Sequence, residues 1–225
     1  MRFLKHLLAA LSLTLIAGAA AASVASPENG VDYKTLDKVQ PTEPGKKVEV
    51  IEFFGYFCPH CYALDPILAK WVEAQGDKIT FKRVHVLFHK TMAPIQQMYV
   101  TLEAMGKTEV MHKKIFDAMH TKSMRFTDEA SVLAFVSANG IDQKAYQDVY
   151  NSFSVQARMR RMPQLLEAYG VTSVPLIVVD GRYVTSPDQL RASVGNKPEN
   201  ELAAGMTKVL DVLVDKVAKE RAAKK

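Results

Sequence analysis

The sequence predicts an α/β domain cut in two by a helical insertion, and three observations lead there. Residues 48–88 read as strand, helix, strand; residues 89–165 carry no comparable strand; strand signals return at residues 174–184, ahead of a long amphipathic helix.

The first stretch, MRFLKHLLAALSLTLIAGAAAASVAS, reads as an export signal. Arg2 and Lys5 charge its front, Leu7 to Ala17 form an apolar run, and small residues follow. That run falls short of the roughly 20 residues a membrane span needs. Residues 1–25 are therefore expected to be removed, with cleavage after Ala22 or Ala25, leaving a chain that works outside the cytoplasm; a retained anchor is the alternative. QPTEPGKK (residues 40–47) is a turn-rich lead-in to VEVIEFF, a β-branched apolar run suited to a strand buried on both faces. Leu64, Ile67, Leu68, Trp71 and Val72 then recur at helical spacing, with Pro66 expected to kink that helix. ITFKRVHVLF (residues 79–88) completes a βαβ unit.

Through the middle, Thr127-Asp128-Glu129 starts a helix that Asn139-Gly140 stops, and Asp142 caps the next. VPLIVVDGRYV (residues 174–184) holds two strands about a tight turn at Asp180-Gly181. Ser186-Pro187 caps a short helix. In the last helix Leu202, Met206, Val209, Leu210, Leu213 and Val217 share one face. The expected organisation is residues 26–88 as the first part of the α/β domain, 89–165 as the inserted helical domain and 166–225 as the second part with its C-terminal helix. Eight of the ten methionines fall in the insertion, which suits helix core or an adaptable surface for varied partners. Phe57, Tyr62 and Tyr99 are candidate aromatic contacts beside them.

The chain carries a formal charge of +5, which falls to +3 without Arg2 and Lys5, since both are basic and no acid lies in residues 1–25. Much of the remainder sits in the tail KVAKERAAKK. The dispersed Lys and Arg, without interleaved aromatics, argue against a nucleic-acid groove.

Both cysteines lie in FFGYFCPHCY, three positions apart. As a staple, closing a loop of about four residues stabilises by only roughly 2 kcal/mol. As a metal clip, one CxxC supplies half of the usual four structural zinc ligands, and His85 and His89 would both have to complete the set; no metal is expected. A redox pair fits best. Cys58 stands at a helix N-terminus, where unpaired N–H groups and the dipole favour thiolate, and His60 can add a positive charge or a donor. Pro59 opens the helix without cost. Cys61, one turn in, should be the buried resolving thiol. A stabilised Cys58 thiolate favours the reduced protein, which makes the disulfide an oxidant.

EFFGYFCPHCY closely resembles the active-site stretch of the DsbA family, exported thiol–disulfide oxidoreductases with a thioredoxin fold, and SVPLIVVDGRY resembles that family's proline loop and following hairpin. The resemblance covers the whole mature chain. It implies a thioredoxin fold interrupted by an inserted helical domain, with Cys58, Cys61, His60 and Pro175 in the catalytic site and Pro59, Val174, Glu52 and Arg83 supporting it. Within it, His60 tunes the potential, Val174-Pro175 is a cis bond beside the disulfide, and Glu52 is a buried acid serving proton transfer near the buried thiol; Arg83, on the adjacent strand, is the partner expected for Glu52, a purely structural ion pair being the alternative. Where the family's well-known member has two consecutive acids after the motif, this chain has Asp65-Pro66.

The expected activity is that of a periplasmic dithiol oxidase that passes its Cys58–Cys61 disulfide to exported proteins with free thiols, without a cofactor, as a monomer. The resemblance implies reoxidation by a membrane quinone-linked partner of the DsbB type. A disulfide isomerase or reductase, and a peptide-binding holdase with an incidental CxxC, are the rival readings.

Overall fold

Seven consecutive residues of VEVIEFF are buried, and this run becomes the strand around which the molecule is built. In the computed structural model the described residues are 26–223; the export segment expected over residues 1–25 lies outside them. The elements run β1 (Lys34–Thr35), β2 (Val48–Phe54), α1 (Pro59–Gln75), β3 (Ile79–His85), α2 (Ala93–Ala104), α3 (Thr108–His120), α4 (Glu129–Ala138), α5 (Gln143–Tyr150), α6 (Phe153–Ala168), β4 (Leu176–Val179), β5 (Tyr183–Thr185), α7 (Pro187–Val194) and α8 (Glu199–Ala223). The strands form one sheet in the order β1-β5-β4-β2-β3. β2 pairs in parallel with β3 on one side and antiparallel with β4 on the other, and β5 and β1 continue the antiparallel edge.

Alternation along β2 sends its side chains to two different cores. Val48 and Val50 meet Leu64, Leu68 and Trp71 of α1 and the apolar face of α8. Ile51 and Phe53 point the other way, onto Met162 and Leu166 of α6. The six α8 residues expected on one face are all buried there, each worth about 1.5–3 kcal/mol relative to exposure. Trp71 Nε1 donates to Asp211 Oδ1 at 2.8 Å, fastening α1 to α8. α1 runs unbroken through Pro66.

Local chemistry sets the boundaries. Asp128 caps α4 in a reciprocal box with Ser131, while Asp142, Ser152 and Ser186 cap α5, α6 and α7. The hairpin between β4 and β5 turns on Asp180 and Gly181, both at positive φ; a Cβ on Gly181 would collide with the Gln40 carbonyl oxygen. β3 ends at His85 rather than running on to residue 88. The His85 ring folds back onto the Val86 carbonyl there, although the Val86 N–H still reaches the Phe54 carbonyl at 2.8 Å.

Helices α2 to α6 form the insertion between β3 and β4. Their core includes Met98, Met111 and Met119, and it extends without a break to Phe54, Tyr56, Cys58 and Cys61. The cysteine pair therefore lies on the seam between sheet and insertion. Met162 is also buried, Met105 and Met159 are partly so, and Met124 is exposed. Four of the eight methionines of the insertion are thus core residues, and Met92, like Met105 and Met159, is half-buried.

Candidate active site

β2 delivers the chain to Gly55, a short turn follows, and α1 starts with Cys58 as its N-cap. The Cys58 backbone N–H donates to the Gly55 carbonyl at 3.0 Å. Its Sγ accepts from the Cys61 N–H at 3.3 Å, so the sulfur itself satisfies an orphan donor of the first helical turn. Pro59 occupies N1, where its missing N–H costs nothing. Both cysteines are thiols in this structure.

The two sulfurs experience different surroundings. The Cys61 thiol's hydrogen bond lowers the Cys58 pKa most; backbone N–H groups of Cys61 and His60 and the His60 charge add to it against the effect of burial, leaving Cys58 at about 7. Cys61 is fully buried. Burial first, then its role as donor to Cys58 and the negative charges of Cys58 and Glu52, push its thiol far above the usual range. One thiol is prepared to ionise and the other to stay protonated.

The proline loop closes over Cys58. The Val174–Pro175 peptide bond is cis, and the Cys58 thiol points at the Val174 carbonyl oxygen, 3.4 Å away. Pro175 is buried and Val174 half-buried. His60 turns outward: its Nδ1 lies 3.1 Å from Glu199 Oε2 at the start of α8, and its side chain is half exposed. Glu199 also accepts from Arg191 at 2.7 Å. Phe57 packs near the exposed ring of Phe88, their centroids 6.3 Å apart. Tyr99 is buried, its hydroxyl donating to the Arg83 carbonyl at 2.9 Å.

Behind Cys61 lies a buried set of charges. Glu52 and Arg83 are register partners on β2 and β3, and Arg83 Nε donates to Glu52 Oε2 at 3.0 Å. Burial raises the Glu52 pKa, with Arg83 and His112 acting in the opposite direction. Arg83 also reaches Asp65 Oδ1 at 3.3 Å, and that same oxygen accepts from His112 Nε2 at 2.9 Å. Asp65 is thus drawn into the network rather than toward Cys58, and Pro66 points to the exposed side.

Tyr56 escaped the sequence reading, and it holds the site to the insertion. Its N–H donates to His85 Nε2 at 3.0 Å, its hydroxyl bonds His112 Nδ1 at 2.9 Å, and its carbonyl accepts from His120 Nε2 at 2.8 Å. Three of the chain's six histidines therefore converge on one residue two positions before Cys58. His85 is locked neutral, with Nδ1 toward the Val86 carbonyl, and burial holds its pKa down to about 3. His120 also stacks on Tyr62, rings 4.8 Å apart. A signal was available: in MHKKIFDAMH, His112, Phe116 and His120 recur every four residues, on one helix face.

A mixed sheet interrupted by helices, with a CxxC pair at the start of the first helix beneath a cis-proline loop, defines a thiol–disulfide oxidoreductase with a thioredoxin-like fold. Comparison with known proteins agrees. Residues 49–205 match the family model described as DSBA-like thioredoxin domain, and the chain belongs to that family. It is 39% identical over 208 residues to the thiol:disulfide interchange protein DsbA of Burkholderia cepacia, covering 92% of this chain and 93% of that one. It is 36% identical to the Bordetella parapertussis protein of the same name, over 81% of this chain and 82% of the relative. The crystal structure of Pseudomonas aeruginosa DsbA superposes with a TM-score of 0.76 at 31% identity, covering 87% of this chain and 96% of that one. The protein is accordingly a protein disulfide oxidoreductase.

Proposed function

We propose that this protein works as a dithiol oxidase, passing a Cys58–Cys61 disulfide to exported proteins as they fold in the periplasm. The observation that carries this reading is the unequal placing of the two thiols: Cys58 caps α1, accepts the Cys61 N–H and faces the Val174 carbonyl, while Cys61 is fully buried, which lowers the first thiol's pKa to about 7 and raises the second's. A substrate thiolate attacks Cys58 Sγ, the sulfur nearer the surface; the Cys58–Cys61 bond breaks and a Cys58–substrate bond forms. Cys61 leaves as thiolate and takes up a proton. A second substrate thiolate then attacks its own sulfur in the mixed disulfide. The substrate disulfide forms, and Cys58 departs as a thiolate stabilised by the helix N-terminus.

Each remaining site residue has a place in this scheme. The Val174 carbonyl beside Cys58 and the Pro175 loop offer a backbone edge for an extended substrate segment. Pro59 leaves the first helical turn undisturbed. His60 contributes to the Cys58 thiolate, though less than the Cys61 thiol and the backbone N–H groups, and its Glu199 contact draws it outward. Glu52, partnered by Arg83, serves as the acid–base group for Cys61. The redox-active Cys58–Cys61 disulfide supplies the prosthetic chemistry of this scheme. Reoxidation falls to a membrane quinone-linked protein of the DsbB type. The export-like residues 1–25 support the periplasmic setting, and no helix among the described residues is long and apolar enough to cross a membrane.

Acid trapping of cellular thiols tests the direction. The protein should be found mostly as the disulfide; a mostly dithiol steady state would instead make it an isomerase or reductase. Activity that survived replacement of both cysteines would point to a holdase.

A further inference from the structure

We infer that His112, on the inserted helix α3, is the solvent-side member of a one-proton store whose inner member is Glu52, and that this store takes and returns the Cys61 proton. This deepens the reading above and rests on Cys61 being the resolving thiol.

The argument begins with charge counting in a buried site. Glu52, Asp65, Arg83 and His112 form one continuous chain of contacts, and their side chains are 2%, 16%, 10% and 7% exposed. Two carboxylates and one guanidinium leave one negative charge, and an uncompensated buried charge is costly. One proton neutralises the set, and it has two places to sit. Either Glu52 is protonated and His112 neutral, or Glu52 is ionised and His112 is an imidazolium. Asp65 is a poor third site, since it accepts from both Arg83 and His112, and Arg83 remains charged at all accessible pH.

The two sites face different neighbours. Glu52 is felt at the Cys61 sulfur, and His112 is felt at Glu52. His112 borders a cavity of about 560 Å³ between α1 and α3, also lined by Asp65, Arg83, Glu109 and Lys113. Glu109, at its mouth, is 90% exposed and lies 3.8 Å from Arg83, so water has access to this end. Of the other titratable groups around His112, the Tyr56 hydroxyl bonds its Nδ1, Tyr62 lines the cavity wall on α1, and neutral His85 lies beyond Tyr56, close enough to feel the His112 charge. His112 is the imidazole of this shell that both borders the cavity and donates to an acid of the cluster.

The cycle balances. When Cys61 attacks a Cys58 mixed disulfide, its thiol proton passes to the Glu52 carboxylate. The Cys61–Cys58 bond forms and the partner leaves as thiolate. Glu52 is now neutral, so the imidazolium of His112 gives a proton to water through the cavity. When a substrate thiolate later opens the disulfide, Cys61 takes the Glu52 proton and His112 is recharged from solvent. The cluster stays neutral throughout, and one proton leaves or enters at the surface. His112 acts as a positioning and charge-compensating residue, without touching either sulfur.

Two measurements test this. The first follows ring nitrogen shifts of His112 by NMR in the intact protein: at neutral pH the ring should be charged in the dithiol form and neutral in the disulfide form. The same protonation state in both forms would overturn the inference. The second uses His112→Gln, which retains an N–H donor toward Asp65 but cannot be charged. Release of glutathione from its Cys58 mixed disulfide should slow by about tenfold to a hundredfold, and the pH profile should lose the inflection present in the wild type. An unchanged profile would overturn the inference, whereas lower stability with an intact profile would mark His112 as structural. Both readouts concern the resolving step, so they stand apart from the cellular trapping that decides between oxidase and isomerase.

Discussion

The surroundings of Cys58 and those of Cys61 are made of different materials. Around Cys58 they are the Cys61 thiol, whose hydrogen bond lowers its pKa most, and then backbone: N–H groups of the first turn of α1, and the Val174 carbonyl of the proline loop. Around Cys61 they are apolar side chains with the Glu52–Arg83 pair beyond them. Backbone donors at a helix end stabilise a thiolate without needing a charged residue, whereas burial beside a carboxylate penalises one. The difference teaches that a single turn of helix suffices to separate nucleophile from resolving thiol, because the helix end faces the surface and the next turn faces the core.

The most severe way to break the comparison is to remove one sulfur at a time. Cys58→Ser should abolish thiol–disulfide exchange altogether. Cys61→Ser should leave attack at Cys58 possible but strand mixed disulfides on it, visible as high-mass adducts on non-reducing gels. Equal loss without adducts in both variants would mean the two thiols are interchangeable.

Next in size is the charge pair behind Cys61. Arg83→Met leaves Glu52 buried without its main partner and should destabilise the fold by about 3–5 kcal/mol, measured by denaturant unfolding. The double variant Arg83→Met with Glu52→Gln should recover much of that loss. If the single variant costs under about 1 kcal/mol, the pair is not held as tightly as its geometry says.

The comparison also has a pH dependence. A Cys58 pKa lowered from 9.0 to about 7 stabilises the folded dithiol by about 3 kcal/mol, or about 60 mV in a two-electron potential. The folded value lies below the unfolded one, so this stabilisation is complete above pH 9, shrinks between 9 and 7, and is gone once pH falls below 7. Unfolding of the dithiol and disulfide forms at several pH values should show the dithiol gaining relative stability from pH 7 to 9. A difference that stays flat across this window would contradict the assignment.

His60→Ala should have the smallest effect. Its charge is the weakest of the influences on Cys58 and its ring engages Glu199. The Cys58 pKa should rise by a fraction of a unit, about 1 kcal/mol or less, with a matching small fall in potential. A shift as large as the whole depression would give His60 the role assigned to the Cys61 thiol and the helix end.

Much of this could be read from the residues in order. The buried run VEVIEFF, the helical spacing after CPHC, the caps at Asp128, Asp142 and Ser186, and the apolar face of α8 are local or periodic signals, and the structure follows them. The pairing of Glu52 with Arg83 was legible because parallel strands flanking one helix bring those positions side by side. What stayed hidden was contact between distant elements. β1 is two exposed residues with no pattern of its own. The convergence of His85, His112 and His120 on Tyr56 depends on how α3 is laid against the active-site turn, which no spacing within either segment encodes. Asp65 reads as a leftover acid until α3 supplies His112.

The central claim is that Cys58 ionises near neutrality while Cys61 does not, and thiolate ultraviolet absorbance of the dithiol protein across pH measures it directly. One thiolate should appear with a midpoint of about 7 and disappear in Cys58→Ser, with no second thiolate by about pH 8–9, where ordinary cysteines ionise. A midpoint near 9 for Cys58, or two thiolates appearing together, would contradict the account.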